Sequence, residues 1–94
     1  MVTAYVLINV KGSSEASRIA KELLKIDEVE NIHLVYGEWD IIITVKTKTL
    51  IQLREVTLNK ILAVSGIGRT HTLIVADEGM WTIHPNDFLF YFII

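Results

Sequence analysis

No cysteine occurs among the 94 residues, which removes disulfides, zinc–thiolate sites and thiol nucleophiles at once. Small disulfide-stapled secreted scaffolds are excluded with them. There is no basic excess either: nine Lys+Arg stand against eleven Asp+Glu, a net charge of −2. Phosphate contacts drive nucleic-acid affinity, so this balance argues against direct DNA binding. No apolar run approaches the ~18–20 residues that a membrane span needs. The stretch from Met1 to Ile8 lacks a basic start and gives way at Asn9, a poor secretion signal, so a cytoplasmic location is expected. His33, His71 and His84 form no HxxxH or HxH metal spacing. No phosphate-binding loop is present, and Gly66-Ile67-Gly68 supplies only the start of a dinucleotide fingerprint. Ser13, Ser14 and Ser65 lack the setting of a nucleophile elbow.

What the chain has is apolar surface. Hydrophobic residues make up 51% and charged residues 21%, far from the composition of a disordered segment. A domain of this size buries only about two-thirds of its unfolded surface. Part of the remainder is therefore expected to face another chain.

Short β-branched runs alternate with helical ones. Thr3 to Val10 reads as a strand, with Ala4, Val6, Ile8 and Val10 on one side and Tyr5, Leu7 and Asn9 on the other. A turn at 11–14 offers Ser13 or Ser14 as a helix cap, and Ala16, Ile19, Ala20, Leu23 and Leu24 then form one apolar stripe. Val29 to Tyr36 and Trp39 to Lys46 read as two strands joined by a tight hairpin, where Gly37 can adopt positive φ. Ile41-Ile42-Ile43 is apolar on both faces, as a central strand would be. Thr49 caps a second helix running to about Leu62, whose stripe is disturbed by Arg54 inside it and Val56 outside it. Arg69 to Ala76 gives a last strand. The strand–helix–strand pattern repeats after about 36 residues.

The order β-α-β-β-α-β predicts an α+β, ferredoxin-like fold. Its four-stranded antiparallel sheet has the first and third strands central and both helices on one face. The helices leave the other face bare, yet Tyr5, Leu7, Val35, Ile42, Leu73 and Val75 alternate onto it or its mirror. Exposing them would forgo on the order of 1.5–3 kcal/mol each. Face-to-face packing of two sheets resolves this, giving a homodimer.

Chemistry concentrates at Tyr36-Gly37-Glu38-Trp39-Asp40: two aromatics, two carboxylates and a glycine on one loop. Such a loop is a soluble turn at the least. It is also suited to clamp an amino acid, with main-chain N–H groups near Gly37 meeting the carboxylate and Asp40 or Glu38 pairing the ammonium. The aromatics would wall off the side chain, with Trp39 equally suited to anchor an oligomer. His33 and His71 fall at similar places in two strands, where ordinary sheet positions compete with an acid–base pair.

Two motifs carry a resemblance. Gly37-Glu38-Trp39-Asp40 followed by Ile41-Ile42-Ile43-Thr44-Val45, and Gly66-Ile67-Gly68-Arg69-Thr70-His71-Thr72-Leu73-Ile74-Val75, together resemble the effector-binding (RAM) domain of the Lrp/AsnC transcription regulators. The likeness covers about residues 2–76, and 80–85 is similar to a short tail of some members. It implies face-to-face dimers joined into higher even-numbered oligomers, and an amino-acid effector held between dimers. Carried over by position, Tyr36, Gly37 and Asp40 would meet the effector's polar head, Glu38 and Trp39 would assist, and Thr70 and Thr72 would contribute. No metal or other cofactor is implied. Full-length members carry an N-terminal helix-turn-helix, whereas Met1 here leads directly into a strand, as in a stand-alone or excised effector domain. Transcription would then be reached indirectly, through full-length Lrp/AsnC partners or by effector binding.

Residues 1–76 thus read as one effector-binding and oligomerisation domain, and 77–94 as an extension. Its apolar end, Phe88 to Ile94, suits an edge strand or an oligomer contact. The competing readings are a small dimeric α+β-barrel enzyme of the cofactorless monooxygenase or isomerase type, and a purely structural oligomer.

Overall fold

A computed structural model describes residues 1–12 and 15–76. The residues expected to cap the first helix, Ser13 and Ser14, and the extension 77–94 with its apolar end lie outside the described residues.

Four strands, β1 (Val2–Val10), β2 (Val29–Leu34), β3 (Ile41–Thr47) and β4 (Ile67–Ile74), form one sheet in the order β2-β3-β1-β4. All three pairings are antiparallel. The expected centre is confirmed. The apolar triplets at Val6–Ile8 and Ile41–Ile43, equivalent in the internal repeat, pair with each other as Val6↔Ile43, Leu7↔Ile42 and Ile8↔Ile41. Strands flanked on both sides have both faces to fill, which is why these two carry apolar residues in both registers.

Helix α1 (Ala16–Leu23) buries Ile19 and Leu23. Leu24, expected on the same stripe, is exposed because the helix ends there. Helix α2 (Leu50–Val56) starts where Thr49 accepts a hydrogen bond from the Gln52 amide at 3.1 Å, confirming the cap. Gln52 reciprocates, its Oε1 accepting from the Lys48 amide at 2.8 Å.

The disturbed stripe of the second helix has a structural cause. Its last part, Thr57–Ile61, is a π-helical turn, with the Leu62 amide donating to the Thr57 carbonyl at 3.0 Å. A regular α-helix carrying Leu53 and Val56 inward would bring Lys60 to the core seven residues on. The π turn inserts one residue of phase, so Ile61 is buried instead. Lys60 is turned outward and pairs with Glu28 at 2.9 Å. Val56, which the α-helical stripe excludes, is therefore a core residue, and Arg54 is exposed.

The helix-side core is Ala4, Val6 and Ile8 of β1, Ile41, Ile43 and Val45 of β3, with Ile19, Leu23, Leu53, Val56, Ile61 and Ile67. Directly opposed residues of an antiparallel pair share a face. The register therefore places Tyr5, Leu7, Ile42, His33, His71 and Leu73 together on the other side. Among the described residues no helix covers that side.

Candidate functional site

The β2–β3 connection is wider than the expected hairpin. The strands stop at Leu34 and Ile41, and the Val35 amide donates to the Asp40 carbonyl at 2.9 Å as a last rung. Tyr36, Gly37, Glu38 and Trp39 form the loop beyond it. Gly37 has φ +131°, which L side chains rarely adopt. Nothing lies within 4 Å of where its Cβ would sit. The backbone conformation, rather than crowding, asks for glycine here. Tyr36 is fully exposed.

Asp40 anchors the base of the loop. Its amide donates to the Ile8 carbonyl at 3.0 Å, and its Oδ2 accepts from the Val10 amide at 2.9 Å. One carboxylate oxygen is thus engaged with the end of β1. Glu38 extends to solvent, with Oε1 3.9 Å from Arg69 Nη2. Trp39 folds back across the end of β1 toward β4. The Arg69 guanidinium lies 4.8 Å from its ring centroid, and the His71 ring 6.2 Å away, tilted by 39°. A cation over an indole face is an attractive pairing worth about 0.5–1 kcal/mol at an exposed site.

Asn9 joins these pieces. Its Nδ2 donates to the Glu38 carbonyl at 2.7 Å, and its Oδ1 accepts from Arg69 Nε and Nη2 at 3.1 and 2.9 Å. Neither Asn9 nor Arg69 is singled out by the sequence. One lies 29 residues from Glu38 and the other 60 residues from Asn9, so no local motif links them.

The remaining expected residues lie elsewhere. Thr70 and Thr72 pair with Ile8 and Val6, which puts them on the helix side of β4, away from Trp39, Arg69 and His71. Within one protomer they do not join the loop. His33 and His71 do not meet either: they stand on opposite edge strands in one row, His33–Ile42–Leu7–His71, about 14 Å apart at ~4.8 Å per strand. Among the described residues no group of three or more His, Asp or Glu could hold a metal ion. No helix among them is long and apolar enough to cross a membrane.

The Lrp/AsnC ligand binding domain matches residues 3–79 of this sequence. The chain belongs to the Lrp/AsnC family. It is 31% identical over 74 residues to an uncharacterised HTH-type transcriptional regulator of Pyrococcus furiosus, a match covering 77% of this chain and 49% of the relative. It thus spans about half the length of the curated relatives it matches. E. coli AsnC superimposes with a TM-score of 0.79 at 30% identity, covering 87% of this chain and 56% of that one. A transcriptional regulator of Neisseria meningitidis, solved as a complex with L-Met, shares the fold with a TM-score of 0.76 at 19% identity. That match covers 94% of this chain and 58% of the regulator. The match runs through all four strands and includes the 36–40 loop.

Proposed function

We propose that this Lrp/AsnC domain is a non-enzymatic, cytoplasmic amino-acid sensor whose output is assembly. Two copies pack their bare sheet faces together, dimers join into larger even-numbered oligomers, and the amino acid is held at the 36–40 loop between dimers. Transcription is reached through helix-turn-helix relatives with which the assembly forms. The observation that carries this reading is a loop with a positive-φ glycine and two carboxylates, lying inside a match to a ligand-binding domain.

Each residue has a role in that site. Gly37 opens the backbone so that main-chain N–H groups can approach a carboxylate. Glu38 and the free oxygen of Asp40 face the ammonium. Tyr36 and Trp39 border the side chain. Thr70 and Thr72 contribute from a neighbouring copy, since their own loop lies across the sheet from them. The L-Met complex of the Neisseria meningitidis regulator supports an amino acid as the ligand class.

Calorimetric titration of the purified protein with the twenty standard amino acids tests the reading. At least one should bind with millimolar or tighter affinity, and Asp40→Asn should weaken it about tenfold, the effect of one lost charge-assisted contact. Silence across the whole panel would leave a structural oligomer as the better description.

A further inference from the structure

Asp40 ties the base of the 36–40 loop to β1, and the Asn9 side chain bonds the loop backbone beyond it, at the Glu38 carbonyl. Asn9 lies where the β1–β4 register shifts, between Ile8 and Val10. The shift sets two β4 residues, Gly68 and Arg69, against the single Asn9, so the bulge belongs to β4 and brings Arg69 beside the Asn9 amide. Opposite it, Gly68 lets the two backbones come close: a Cβ on Gly68 would sit 3.0 Å from the Asn9 carbonyl oxygen.

The orientation of the Asn9 amide follows from chemistry. A guanidinium only donates, so the atom facing Arg69 Nε and Nη2 must be the oxygen. The NH₂ group is then directed at the Glu38 carbonyl, 2.7 Å away, with Asp40 Oδ2 at 3.5 Å. Arg69 is itself placed over the Trp39 ring at 4.8 Å. The loop backbone, the loop indole and the edge strand thus share one small polar hub.

We propose that Asn9 is the positioning residue of the binding loop: its NH₂ clamps the Glu38 carbonyl while Arg69 locks the amide in the orientation that allows this. The inference deepens the amino-acid-sensor reading and rests on it for its ligand arm; the clamp itself can be tested without any ligand. Asn9 touches no ligand in this account. It sets the backbone that does.

Two variants separate the halves of the hub. Asn9→Ala removes both bonds. Asn9→Asp keeps an acceptor for Arg69 but has no donor for Glu38. Hydrogen exchange followed by NMR reads the three amides that hold the loop base: Val10, Val35 and Asp40. Both variants should speed their exchange about 3- to 10-fold, the worth of one net hydrogen bond, with amides of the central β1–β3 pairing unchanged. Arg69→Gln should give a smaller acceleration at the same amides, and it tests the clamp should either Asn9 variant fail to fold. In the ligand arm, calorimetry with L-methionine and the other nineteen standard amino acids should show affinity reduced about tenfold in Asn9→Asp. Unchanged exchange in the folded variants would overturn the clamp. Faster exchange with unaltered affinity would overturn the positioning role. A wild-type protein that binds none of the twenty would refute the sensor reading, while the exchange data still decide the clamp.

Discussion

Alternate residues of β1 meet opposite fates. Ala4, Val6 and Ile8 are completely buried, whereas Tyr5 between them is 44% exposed and Leu7 is half-buried. The neighbouring strands repeat the contrast: Ile41, Ile43 and Val45 are buried and Ile42 is not, while Leu73 on β4 is 47% exposed. The core of the covered face is purely aliphatic, whereas the bare face mixes Leu7, Ile42 and Leu73 with Tyr5, His33 and His71. One face is finished by α1 and α2, and the other is an unfinished interior. An exposed apolar face on a small domain marks an interaction site; in the proposed homodimer a second copy meets it with the same surface on both sides.

Substitutions can break or sharpen that contrast. The largest effect belongs to the covered face: Ile43→Ala should cost about 2–5 kcal/mol, read by urea unfolding, because it opens a cavity between sheet and helices. On the bare face, Leu7→Lys should leave the monomer folded but weaken dimerisation roughly 30-fold or more, since a symmetric contact carries the charge twice. Native mass spectrometry should show even-numbered oligomers for the wild type and smaller species for the variant; a wild-type monomer at micromolar concentration would end the two-face argument.

A smaller effect is expected behind the covered face, at Gly66. Its φ is +96°, and an added Cβ would stand 2.9 Å from Ile19 Cδ1. Gly66→Ala should cost about 1–3 kcal/mol in the same unfolding measurement.

The smallest effect lies at the helix-side rim. Lys60 holds the Glu28 carboxyl below its ordinary value of 4.5, chiefly by a direct hydrogen bond. Because the folded carboxyl titrates lower than the unfolded one, its stabilisation is complete above about pH 4.5 and fades as the pH falls further. Glu28→Gln should therefore cost at most about 1 kcal/mol at pH 7, and unfolding curves of variant and wild type should converge in acid.

The legible parts of the fold were those with a local signature. Two strands apolar on both faces announced the sheet centre, and Thr49 announced the start of α2. Gly37 announced a turn with positive φ. The rest depended on residues far apart in sequence. Val56 and Arg54 exchange their expected places because a π turn shifts the helix phase, and periodicity assumes that no such turn exists. Thr70 and Thr72 belong to a legible motif, but register alone sends them to the helix side. Asn9 looked like the end of an apolar run; its importance comes from a bulge and from Arg69, 60 residues later.

Sequence alone determined the element order, the antiparallel β-α-β-β-α-β plan, the excess of apolar sheet surface and the family, because periodicity, turn residues and local motifs are properties of neighbouring residues. Tertiary structure decided which apolar face is covered, where the second helix turns out of phase, and which side chains hold the loop. Those outcomes depend on strand register and on contacts between distant segments, and such contacts exist only once the chain has folded.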